Sequence, residues 1–121
     1  MIRGVRGATT IVADEPNHIW QATEEVVQEM VAQNNITIDD IASITISTTP
    51  DITSAFPAKA VRTLEGWQYV PIMCMHEMNV AGALPLCIRI LMHVNTTITQ
   101  QDIMHVYLHD AVKLRPDLVQ R

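Results

Sequence analysis

Arg89 stands in the middle of "PLCIRILMHV" (85–94), a stretch that otherwise reads as a buried β-strand. Leu86, Ile88, Ile90, Met92 and Val94 alternate along an extended chain, so they share one face, and that face is predicted to be core. The opposite face carries Cys87, Arg89, Leu91 and His93, which sets a guanidinium among largely dry neighbours. Desolvating that charge costs several kcal/mol unless carboxylates answer it. Glu77 lies near the C-terminal end of "YVPIMCMHEM" (69–78), a predicted strand joined to that of Arg89 by a short connection, and is the candidate partner within the protein. A bound anion is the alternative partner. Arg6, between Gly4 and Gly7, and Tyr107, in "DIMHVYL" (102–108), are residue types that hydrogen-bond carboxylates. Two arginines and a tyrosine with one glutamate suit a polyanion that also bears a hydroxyl; a purely structural Arg89–Glu77 ion pair suits the same residues.

Other reactive residues form weaker patterns. Cys74 and His76 share a strand face, yet neighbouring positions on one strand rarely give attack geometry, and no third group orients them. The five histidines contain no HExxH, and the helical spacing of His105 and His109 falls across a predicted strand end, so no metal site is expected. "MCMHEM" reads as core filler, and Lys59 and Arg62, three apart, read as one face of a short helix that is ordinarily solvated.

The totals exclude whole classes. Acidic residues outnumber basic ones thirteen to eight, giving a net charge of −5, which argues against a nucleic-acid partner. "MIRGVRGATTIV" has no apolar signal core, and no run of about 18 apolar residues could span a bilayer, so a cytoplasmic protein without a membrane partner is expected. Cys74 and Cys87 lack CxxC spacing and read as free buried thiols. A length of 121 residues without a linker or repeat predicts one domain, residues 1–121, able to bury roughly two thirds of its unfolded surface.

These side chains need a scaffold. "IRGVRGATTIV" (2–12) is β-branched with two glycines and predicts a strand with a bulge or a close backbone approach. Ile19, Ala22, Val26 and Met30 recur at helical spacing and predict one long amphipathic helix over 17–33, capped by Asp14 or Asn17 and ended by Asn34 and Asn35. "TIDD" (37–40) resembles a capping box for one turn, and "IASITISTT" (41–49) is a strand. "FPAKAVRTLEG" reads as a short helix closed by Gly66, and "DAVKLRPDL" (110–118) as a turn or short helix broken at Arg115-Pro116. Five strands and one long helix indicate an α+β fold with mostly antiparallel or mixed pairing, here taken as a mixed sheet. A sheet covered by one helix leaves a face bare, and self-association is the economical cover.

"RGVRGATT" (3–10), "TTPDITSAFPAKAVRTLEGWQYVP" (48–71), "CMHEM" (74–78), "CIRIL" (87–91) and "HVYLHDAVKLRPDL" (105–118) together closely resemble the AroH class of chorismate mutases, in order and over nearly the whole chain. The resemblance implies a homotrimer of α+β subunits in a pseudo-α/β-barrel, with three active sites between subunits. It implies the Claisen rearrangement of chorismate to prephenate, on the route to phenylalanine and tyrosine, without cofactor or metal. Carried over by position, Arg89 meets the breaking ether oxygen and a carboxylate, and Arg6 and Tyr107 hold a carboxylate. Glu77, with the backbone around Cys74, meets the ring hydroxyl. Phe56, Ala58, Lys59 and Arg62 match the part supplied by the adjacent subunit, and Leu114 and Arg115 match the segment that closes the cleft. Met73 departs from the pattern, which has a small polar residue beside Cys74, and the segment after Arg115 is short. A trimeric dicarboxylate sensor and an imine or enamine hydrolase are the competing classes; the first needs neither Arg89 nor Glu77, and the second needs an activated water.

Overall fold

A computed structural model describes residues 1–115. Five strands, β1 (Ile2–Thr10), β2 (Ile41–Thr48), β3 (Ile72–His76), β4 (Cys87–Asn95) and β5 (Val106–Tyr107), form one mixed sheet in the order β3-β2-β4-β1-β5. β4 is antiparallel to both β1 and β2, whereas β3 and β5 add in parallel at the two edges. The architecture is α+β, as the pattern of elements predicts.

The long helix α1 (Pro16–Gln33) covers one face. Proline suits its first position, where an N–H would have no partner in the helix. Its stripe of Ile19, Thr23, Val26, Val27 and Met30 is buried against Val5, Ile44, Ile46, Ile88, Ile90, Met92 and Val94, which the strand alternation points the same way. Gly7 allows a close approach: a Cβ there would collide with Met30 Sδ, so Met30 can sit against β1 at this position only because residue 7 has no side chain.

Several expectations are corrected. The Arg89 strand begins at Cys87, because Leu86 takes a left-handed backbone (φ 49°) that breaks the alternation and leaves it half-buried beside the core. Its N–H donates to Asp51 Oδ2 and its carbonyl accepts from Ile11, so the turn is held from both sides. β3 is five residues long and ends before Glu77. The predicted strand over 102–108 shrinks to Val106–Tyr107, since Gln100–Asp102 forms a 3₁₀ turn. Neither Asp14 nor Asn17 caps α1: the N-cap is Glu15, without a side-chain cap bond. Asp14 instead accepts from the Thr53 and Ser54 backbone N–H groups, each at 3.1 Å. At Thr37 the hydroxyl bonds the Asp40 carboxylate instead of capping the turn. The short helix α2 (Ala58–Arg62) ends four residues before Gly66, whose φ of 87° closes the turn that follows. A 3₁₀ turn spans His109–Lys113, and residues 116–118 of the predicted terminal element lie outside the described residues.

The other sheet face carries Gly4, Arg6, Ala8, Ser43, Thr45, Ser47, Arg89, Leu91 and His93, opposite the helix-facing set. Ile2, Met73, Met75 and Leu91 are exposed on it. No helix of the described residues is long and apolar enough to cross a membrane.

Candidate active site

Strand register assembles the first cluster. Ala8 pairs with Arg89 on one side and with Tyr107 on the other, so the three form a row across β4, β1 and β5. Arg6, two residues before Ala8, therefore shares its face and sits diagonal to Arg89, roughly 7 Å away at the Cβ atoms. The small Ala8 forms the floor. Arg6, Arg89 and Tyr107, with Leu114 and Arg115, surround a cleft of about 270 Å³, and a second hollow of about 240 Å³ beside Arg89 is lined by Thr45 and Ser47. Those hydroxyls were not singled out in the sequence, although "SITIS" places Ser43, Thr45 and Ser47 on one face opposite Ile44 and Ile46.

Arg89 does meet Glu77, with Nε 3.2 Å from Oε1, but not as a neighbouring-strand pair. β2 lies between β3 and β4, and Glu77 reaches over it from just past β3, where its N–H bonds the Thr48 carbonyl at 2.9 Å. Nor is the arginine dry: its side chain is 45% exposed and that of Glu77 17%. Glu77 Oε1 is itself buried and makes no hydrogen bond of good geometry. With Oε1 buried against the guanidinium, the carboxylate can orient Arg89, and the half-exposed guanidinium can meet an anion.

A second cluster forms elsewhere. Phe56, Cys74 and His76 line a concavity of about 460 Å³ that shares no lining residue with the Arg89 cleft. Ala58 and Arg62 on α2 both act on the Cys74 thiol: burial raises its pKa, and a bond involving the Ala58 backbone and the Arg62 charge oppose the rise. Phe56 is exposed, and its carbonyl accepts from Trp20 Nε1 at 3.2 Å. Lys59 lies with Nζ 4.4 Å from the centroid of the same indole, a cation–π contact. Met73 is exposed on the helix-free face of β3. Within one chain, then, Arg6, Arg89, Glu77, Tyr107, Leu114 and Arg115 gather on one side, and Phe56, Ala58, Lys59, Arg62 and Cys74 on the other.

Nucleophilic chemistry finds little support here. Burial pushes the Cys87 thiol up to about 11, with the Arg89 charge only partly opposing it and Glu77 adding to the rise. His76 Nε2 is 2.9 Å from the Ile52 carbonyl, an N–H donor contact that takes this nitrogen away from Cys74. His105 and His109 diverge: His105 Nδ1 accepts from the Arg6 N–H at 2.9 Å, and His109 Nε2 meets Glu25 at 3.0 Å. No group of three or more potential metal ligands occurs among the described residues.

What remains is a site that binds and polarises. A family model described as chorismate mutase type I matches residues 2–118. The chain belongs to the type I chorismate mutase family. Chorismate mutase AroH of Bacillus subtilis is 49% identical over 118 residues, covering 98% of this chain and 93% of that protein. The AroH enzyme of Thermus thermophilus is 44% identical, covering 98% and 97%. A solved chorismate mutase of Clostridium thermocellum superposes with a TM-score of 0.87 at 44% identity, covering 89% of this chain and 96% of that one. As a type I chorismate mutase, the chain is an isomerase, a class that fits two clusters rich in cations and hydroxyls with both thiols raised.

Proposed function

We propose that this chain converts chorismate to prephenate in clefts completed by the neighbouring subunit of a homotrimer, acting as a single cytoplasmic domain on the route to phenylalanine and tyrosine. The observation that carries the reading is the row Arg89–Ala8–Tyr107 with Arg6 beside it, because two guanidiniums and a phenol around a small floor suit a compact dicarboxylate. In this reading Arg6 and Tyr107 grip a carboxylate and hold the enolpyruvyl arm over the ring, converting a rare conformer into the bound one. The C–O bond breaks ahead of C–C bond formation, so negative charge grows on the ether oxygen. Arg89 meets that charge and binds the transition state better than the substrate. Glu77 accepts a hydrogen bond from the ring hydroxyl, while its Oε1 faces Arg89.

The rearrangement is intramolecular and redox-neutral, so positioning and charge suffice and no cofactor or metal has a step to perform. Phe56, Ala58, Lys59 and Arg62, away from Arg6 and Arg89, belong in this reading to the wall that one subunit lends to the next, and the backbone around Cys74 stands with Glu77 at the ring hydroxyl. Leu114 and Arg115 close the cleft. The helix-free sheet face, with Ile2, Met73, Met75 and Leu91 exposed, favours a partner copy as its cover.

Incubation with chorismate tests the reading. Saturable loss of its ultraviolet absorbance, with the product turning into phenylpyruvate on acid treatment, is the expected result. Binding of chorismate without turnover would favour the dicarboxylate sensor instead.

A further inference from the structure

We propose that Asn34, the residue that ends α1, is a positioning residue that aims Tyr107 and Arg6 at the substrate; the inference rests on the carboxylate grip proposed above. Asn34 is 3% exposed, and its amide makes three bonds. Oδ1 accepts from the Met104 N–H at 2.8 Å, while Nδ2 donates to the Met104 carbonyl at 2.8 Å and to the Met30 carbonyl at 2.9 Å. A side chain that pairs both backbone groups of one residue does what an adjoining strand would do. It ties the segment before β5 to the helix.

That segment needs such help. β5 has two residues and two registered pairs with β1, too little pairing to fix a strand by itself. One residue after Met104, His105 Nδ1 accepts the Arg6 N–H. Residues 104–107 therefore carry Tyr107 and also brace the backbone of Arg6, and the Asn34 amide locates them. Helix termination accounts for only one of the three bonds, that to the Met30 carbonyl, and not for the two to Met104. Asn35, with φ of 51°, occupies the left-handed position that favours asparagine after a helix, whereas Asn34 lies at φ −111°.

The test is steady-state kinetics of full-length Asn34→Ala at a temperature where circular dichroism shows it folded. KM for chorismate should rise about tenfold, the loss of roughly one well-made hydrogen bond, with kcat within about threefold because Arg89 on β4 is untouched. A residue that merely held the fold would lower Tm and leave the KM of folded protein unchanged, and that result would overturn the proposal. Placed in a Tyr107→Phe background, Asn34→Ala should cost much less than tenfold, since both changes spoil one grip; full additivity would overturn it. Asn34→Asp keeps the shape and the acceptor for Met104 N–H but removes both Nδ2 donors, and should also raise KM. It is the variant to measure if the alanine chain does not fold. A normal KM in Asn34→Asp, or failure of both variants to fold, counts against the positioning role. Tyr107→Phe measured alone separates the premises: a normal KM there would remove the carboxylate grip and this inference with it, whereas a raised KM beside a normal one for Asn34→Ala removes only the inference.

Discussion

Arg6, Arg89 and Tyr107 reach their cleft from three strands in register, whereas Phe56, Lys59 and Arg62 come from a loop and a five-residue helix. In the first cluster the spacing of Arg6 and Arg89 is set by backbone ladders and a buried hydrophobic layer, so it shifts only if the sheet shifts, whereas Tyr107 on the two-residue β5 leans on Asn34 as well. In the second it depends on individual side chains. Trp20 holds the Phe56 carbonyl and stacks under Lys59, and Asp14 binds the backbone N–H groups of Thr53 and Ser54 just before Phe56. A reaction that stabilises developing charge needs its cation fixed to a fraction of an ångström, and a sheet supplies that. A wall that admits substrate and then fits around it can be mounted more loosely.

The largest effect should come from the rigid side. Arg89→Ala is expected to lower kcat by at least roughly 10²-fold while the protein stays folded, because a fixed charge at the developing oxyanion is lost. Measuring kcat beside circular dichroism and sedimentation checks it; unfolding or loss of assembly would instead make Arg89–Glu77 a structural ion pair.

Mixing experiments address whether the two clusters meet across subunits. Arg89→Ala and Arg62→Ala chains, each weakly active, should regain activity when denatured together and refolded. Random assembly leaves about a quarter of the sites with both clusters intact. Recovery near that level supports a shared site, and no recovery would place both clusters in one chain's site.

The two clusters also differ in how legible they were. Arg89 stood out because period-two alternation is local: one charge in an apolar strand is visible without knowing its neighbours. The same alternation marks the hydroxyl face of β2, Ser43, Thr45 and Ser47, but nothing local tells that face from any polar strand face, and it was not singled out. That Glu77 reaches Arg89 over β2 was not legible, since strand order is decided by packing between segments far apart in sequence. The extent of β5 was overstated for a related reason: "DIMHVYL" has strand-forming residues, but only Val106 and Tyr107 find a partner on β1. Asp14 has the right residue type for a helix cap and lies near the helix start, yet the Thr53 and Ser54 N–H groups, about forty residues on, win it. Lys59 and Arg62 were visible only as a pair on one helical face. Their place in a site came from the resemblance, and their anchor, Trp20, was unannounced in a helix where it reads as an ordinary flank.

Trp20 therefore offers a gentler test of the loosely mounted side. Trp20→Leu removes the indole N–H bond to Phe56 and the ring beneath Lys59, each worth about 1 kcal/mol or less at an exposed site. kcat/KM should fall about 3- to 10-fold, with a smaller loss for Trp20→Phe, which keeps an aromatic face under the ammonium. Equal losses in the two variants would give the effect to the N–H bond alone.

The smallest effect lies in the pH dependence of the Asp14 anchor. Desolvation raises the Asp14 pKa, but backbone and side-chain hydrogen bonds from Thr53 and Ser54 outweigh it, so the folded-state value is below the ordinary 3.8. A carboxylate depressed in the folded state contributes stability that is fully present above its unfolded pKa and is lost as pH falls through the folded one. Wild type should therefore be more stable to urea than Asp14→Asn by a constant margin at pH 6 and 7. The margin should begin to close near pH 4 and vanish below the folded pKa. A margin unchanged down to pH 3 would mean that the neutral side chain holds the 53–54 turn as well as the anion does, and that the charge of Asp14 has no part in presenting Phe56.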